Sequence, residues 1–219
     1  MLRPQSGGGR EQQPGRDESV RVSRVARYKI GYVVALCVVA ALAFGVVHAL
    51  GREPEVLLAV GVALLVPGRV QGVVFRALFQ GRRAFATGHA EVALKHFERF
   101  LGQLRAAPWR KRMLWLSWSV YTPDAEAMAL NNVGSTLMVL GKFDEAARVF
   151  EEALAVDPLY PLPHFNMAIV EQVRGNSAAA ARLAGESARL GYAHSTLDVV
   201  IHRAQALLAT VEGRRAGEA

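Results

Sequence analysis

"ALNNVGSTLMVLGKFDEAARVFEEALAVDPLY", residues 129–160, carries its own stop and start signals. Gly141 can end a helix in a left-handed turn, and "KFDEA" opens the next with acidic side chains, which suit a helix N-terminus. Pro158 stops that second helix. Ala146, Phe150 and Ala153 recur at helical spacing, so small residues let two helices approach while Phe150 fills the space between them. A shift of 34 residues lands on "PHFNMAIVEQVRGNSAAAARLAGESARLGY", which begins at 163. Asn132 then falls on Asn166, Gly134 on Ala168, Gly141 on Gly175, Ala146 on Ala180 and Ala153 on Ser187. Self-similarity at a fixed period of this length is the mark of a repeat array.

The run "LNNVG…GKFDEAARVFEEALAVDP" resembles the tetratricopeptide repeat across a full unit. That resemblance implies antiparallel helix pairs stacked side by side. The third unit departs from the pattern, with Ser177 in place of Phe143 and Ala184 in place of Phe150, so its second helix should pack less firmly. An earlier unit shows at 74–107, where Gly81, Gly88, Ala93 and Phe97 stand at the expected spacing. A final amphipathic helix, about 195–212, presents Leu197, Val200, Ile201, Ala204, Leu207, Leu208 and Val211, and reads as the cap of an open array. The expected fold is all-α: an N-terminal transmembrane helical hairpin, then an α-solenoid of about three helix pairs over 76–212, closed by a capping helix. Residues 1–20, rich in Gly, Gln and Pro, and residues 213–219 are expected to be disordered.

The hairpin rests on two apolar runs. Residues 30–50, "IGYVVALCVVAALAFGVVHAL", are uncharged apart from any proton on His48. At ~1.5 Å per residue the run crosses a ~30 Å hydrocarbon core. A signal peptide is the competing reading, but a cleaved apolar region is ordinarily ~7–15 residues, which favours a retained anchor. The second run follows "GREPE" at 51–55 and reaches spanning length only if extended to Phe75, past Arg69 and Gln71. Arg69 lies near the end, where it can snorkel, and Pro67 with Gly68 predicts a kink. An interfacial or re-entrant second segment is the alternative. Arg21, Arg24, Arg27 and Lys29 flank the first run, and Arg69, Arg76, Arg82 and Arg83 close the second, so the positive-inside rule places both ends in the cytoplasm. With one span, the array lies outside instead. Small residues at Cys37, Ala41, Gly45 and Ala49, and at Ala59 and Ala63, permit close helix approach, either within the hairpin or against another subunit.

Charge supports a membrane over a nucleic acid. The net charge of +7 is concentrated in the first half, beside the apolar runs, whereas residues 127–219 carry 8 basic and 10 acidic groups. The lone Cys37 excludes an internal disulfide framework.

The stretch "PWRKRMLWLSWSVY", residues 108–121, breaks the period as part of an insertion at 108–126. It holds all three tryptophans. One reading lays Arg110, Lys111 and Arg112 against anionic headgroups, with Trp109, Trp115, Trp118 and Tyr121 in the interface. A second buries the aromatics between lengthened flanking helices, and a third makes them a partner-docking patch.

No HExxH, phosphate-loop, GxGxxG or GxSxG motif is present, and the six histidines form no pair at metal-ligand spacing. The expectation is a non-enzyme with no cofactor and no metal. The family resemblance implies a concave groove lined by first helices, here Met128, Asn131, Asn132, Ser135 and Met138 from one unit, and Leu162, Phe165, Asn166, Ile169 and Gln172 from the next. The amides of Asn132 and Asn166 either grip a guest backbone or tie neighbouring helices. An apolar groove with amide punctuation suits an amphipathic helix better than an acidic tail. The function expected is a membrane-anchored adaptor or scaffold, an assembly factor in a bacterial inner membrane, that binds a protein partner at the cytoplasmic face and touches lipid but no nucleic acid. The alternative is a structural accessory subunit of a larger integral-membrane complex.

Overall fold

The computed structural model describes residues 24–50, 53–112 and 121–218, and within them every regular element is a helix. The expected disordered tail at 1–20 lies outside the described residues. Two long helices come first, α1 (Arg24–Leu50) and α2 (Pro54–Val74). Pro54 at the first position and Glu55 in the first turn suit the start of α2. Both are long and apolar enough to cross a membrane, and among the described residues the apolar window of neither is buried. The helix runs on through Pro67 and Gly68 without a break.

The small-residue stripe does not close this hairpin. Among the described side chains of α1, Tyr32, Ala35, Ala43 and Val47 are partly covered, whereas Cys37, Ala41, Gly45 and Ala49 are exposed, as are Ala59 and Ala63 on α2. A Cβ added at Gly45 would meet nothing within 4 Å. The reason is angular. Residues two apart on a helix, such as Ala35 and Cys37, point ~160° away from each other.

No linker separates hairpin from array. Phe75 alone divides α2 from α3 (Arg76–Ala86), and backbone bonds cross it, Phe75 N–H to Gln71 O and Phe79 N–H to Phe75 O. Phe75 is 1% exposed, with its ring edge-on to Phe100 at 5.5 Å between centroids. The second apolar helix therefore ends inside the core of the first repeat.

Three antiparallel pairs follow: α3 with α4 (Ala90–Ala106), α6 (Ala125–Val139) with α7 (Phe143–Val156), and α8 (Pro161–Val173) with α9 (Ser177–Arg189). Each pair turns on a glycine with positive φ: Gly88 at +81°, Gly141 at +77° and Gly175 at +82°. At each, two backbone N–H groups reach back to the preceding helix, as Gly141 to Met138 O and Lys142 to Leu137 O. Inside the pairs, the two well-formed units use one size rule. Gly81 faces the Phe97 ring and Gly134 faces the Phe150 ring. The third unit replaces this large-and-nothing pair with two small residues, Ala168 and Ala184, both buried. The substitution that makes Ala184 look weak in sequence is thus matched by the partner that fills part of the gap. One continuous core joins Phe75 to Ala204.

The last helix, α10, runs Leu197–Glu218 and so continues past the expected end near 212. A short helix, α5 (Trp109–Arg112), opens the insertion, and residues 113–120 lie outside the described residues.

Candidate partner-binding groove

The groove is built from α6 and α8 lying side by side. Asp124 caps α6, accepting from the backbone N–H of Glu126 at 2.7 Å and of Ala127 at 3.0 Å. Pro161 sits in the first turn of α8, where its missing N–H is not needed. Between these helices, Asn166 Nδ2 donates to Asn131 Oδ1 at 2.9 Å and to Ser135 Oγ at 3.1 Å. Ser135 Oγ in turn donates to Asn131 O at 2.8 Å. Asn166 is therefore engaged as a tie between repeats, one of the two roles open to it in sequence. Asn131 is buried, and its neighbour Asn132 is half-exposed, with its carbonyl accepting from Thr136 Oγ1 at 2.7 Å.

The apolar lining comes together as the period implies. Met138, Phe165 and Ile169 are each 5% exposed, while Met128 is half-buried and packs on the core. These buried side chains face a cover that the sequence did not announce. The helix α10 packs mainly on α8, with lighter contact to α9 and to α6. It thus leans on both helices of the last pair, as the expected cap does, and in addition reaches the inner helix α6. Beneath it remains a cavity of about 350 Å³ between Phe85, Met138, Ile169, Arg203, Leu207 and Thr210. An aromatic cluster closes one end: the Tyr192 ring stands edge-on to Phe165 at 5.0 Å and to Tyr121 at 5.5 Å. Tyr121 thus joins the end of the insertion to the groove rather than standing free.

The start of the insertion is held by charge. Glu126, 9% exposed, accepts from Arg105 Nε at 2.8 Å and from Lys111 Nζ. Burial pushes the Glu126 carboxyl up, but the Lys111 and Arg105 hydrogen bonds outweigh it and leave it below the usual carboxylate value. Lys111 therefore points into the array, away from the exposed position assigned to it beside Arg110 and Arg112. Trp109 is 57% exposed, with the Arg110 guanidinium 5.6 Å from its ring. Trp115 and Trp118 lie outside the described residues, as does the Arg112 side chain.

A pH dependence follows from Glu126. Its folded pKa lies below the unfolded one, so it stabilises the fold above the unfolded value near 4.5, and that contribution is lost as pH falls through the folded value. Glu126→Gln should cost about 1–2 kcal/mol at pH 7 and flatten the acid limb of stability, measured by urea melts from pH 7 to pH 3. An acid limb unchanged by the substitution would remove Glu126 from its cause.

Buried polar contacts elsewhere serve the frame. Thr122 Oγ1 donates to Asp157 Oδ2 at 2.6 Å, tying the end of the insertion to the end of α7. Burial, then the nearby Asp157 charge, pushes the Tyr160 phenol up, so it stays neutral.

Residues 127–160 match the tetratricopeptide repeat family model. The matched span covers most of α6, its glycine turn, α7 and the step into α8. No curated protein matches the chain. Such repeats are typically non-catalytic scaffolds, and the match suggests an interaction role for this array.

Sequence reasoning found the first helices of the groove but missed α10 as its cover and Glu126 as the anchor of the insertion. The stripe on α10 was visible in sequence. Its destination was not, because a stripe says that a face is buried and not against what.

Proposed function

We propose that this protein is a membrane-anchored adaptor that holds a partner protein beside the cytoplasmic face through its repeat array. The observation that carries the reading is the joint at Phe75. An uncovered apolar helix passes into the first repeat with no linker, so an inserted hairpin would fix the array within a few ångströms of the headgroups. Arg76, Arg82 and Arg83 are exposed just beyond that joint, as the cytoplasmic flank of a hairpin requires. Trp109 and Arg110 supply a further amphipathic contact for the interface. The guest of the groove is an amphipathic helix, because the walls offer apolar side chains and most of the polar ones are already bonded to each other.

A second reading, an accessory subunit of a larger membrane complex, draws support from the small face of α1. Cys37, Ala41 and Gly45 are turned away from α2 and permit close approach by another helix.

Photocrosslinking separates these. A benzoylphenylalanine at Phe85, a half-exposed ring on the cavity wall, should give one discrete adduct in membranes, and the adduct should vanish with Met138→Glu. The same group at Leu159, exposed on a turn, should give none. Adducts from Ala41 but not from Phe85 would favour the subunit reading.

A further inference from the structure

We propose that α10 is an exchangeable occupant of the groove, and that the partner this surface fits is a helix of the same pattern, which binds where α10 leaves. The inference rests on the adaptor reading for the existence of a partner, but its geometry stands on α10 itself.

Val200, Ala204, Leu207 and Val211 are spaced four, three and four apart and form one stripe. Val200, Ala204 and Val211 are buried and Leu207 is partly buried. The helix lies on α8 and reaches α6, which are the walls assigned to a guest, and also touches α9. At ~1.5 Å per residue, a helix of 22 residues is about 33 Å long, enough to cross three inner helices set 8–10 Å apart. Its far end reaches the first unit, where Val211 and Arg214 adjoin Leu94 and Glu98 around a second space of about 420 Å³.

The seating is loose. Most of α6 is buried, whereas α10 buries three of its described side chains and leaves Leu197 and Leu208 each 37% exposed. Two partly open spaces adjoin its packed face, one after the other along the helix, so that face forgoes contacts that a tight core would make. A helix held by one narrow stripe opens at lower cost than the pairs beneath it. The stripe also specifies the competitor: apolar side chains at i, i+4, i+7 and i+11, with a small one at the second position, where Ala204 sits 3% exposed.

The test uses the full chain in detergent micelles and a fluorescent peptide of residues 195–218 as the probe. The double change Ala204→Glu with Val211→Glu should free α10 and tighten peptide binding at least tenfold over the unchanged chain. Adding Ile169→Glu should abolish it. A second measurement needs no variant: saturating the unchanged chain with peptide should speed hydrogen exchange in 197–218 and leave α6 and α8 protected. Equal affinity for both chains, or peptide bound while α10 stays protected, would make α10 a fixed cap and overturn the proposal. The two readings fail separately. A Phe85 adduct formed equally with and without the double change would retain the adaptor and remove the exchange. Peptide exchange with no Phe85 adduct in membranes would do the reverse.

Discussion

Gly134→Ala is expected to destabilise the repeat domain by about 2–3 kcal/mol, a large effect for one added methyl group. The new Cβ would stand 2.5 Å from Cε1 of Phe150 and 2.8 Å from its Cδ1. Phe150 is fully buried, so its ring has nowhere to go. The clash and the ring share one cause, which a double-mutant cycle can isolate. Phe150→Leu should be costly in the parent chain and markedly less so beside Gly134→Ala, because the smaller side chain makes room for the methyl. The third unit already realises the relaxed solution with Ala168 and Ala184. Chemical denaturation of all four chains measures the coupling. Additive costs would mean that the two positions do not press on each other.

The second large effect lies at the joint. Phe75→Ala should cost about 3–5 kcal/mol, as other buried Phe-to-Ala changes do. Its ring, fully buried at the start of the core beside Val74, stands edge-on to Phe100. The loss should fall on α3 and α4 before the later pairs, since repeat arrays unfold by neighbouring units. Hydrogen exchange resolved by helix would show it as early opening of 76–106 with α8 and α9 still protected. Uniform opening would show instead that the array unfolds as one body.

The period of 34 and the Gly141 turn were enough to place the second and third pairs, because each unit repeats the same local physics. The offset of the first unit was equally legible once the insertion was subtracted, since Gly81 and Phe97 stand in the relation of Gly134 and Phe150. What the sequence could not supply were contacts between elements that share no period. Lys111 meets Glu126 across the insertion, and nothing in "WRKR" marks one of its cations as bound. The small stripe on α1 promised a close contact but not its direction. The groove residues were legible as a face, while Asn166 could be either a reader or a tie until Asn131 and Ser135 were found within reach of its amide. The stripe on α10 had the same defect, since a helix laid across a groove and a helix stacked on an end need the same spacing.

The side of the membrane on which the array lies tests the account most directly. A cysteine at Leu159, exposed on the turn before α8, in a Cys37→Ser background avoids the strained backbone that a new cysteine at Gly141 would meet. In intact spheroplasts an impermeant maleimide should leave Leu159→Cys unlabelled and should label Glu53→Cys in the connecting loop; after permeabilisation both should react. Ready labelling of Leu159→Cys in intact cells would put the array on the outer side, leave one spanning helix, and contradict the hairpin on which the adaptor reading depends.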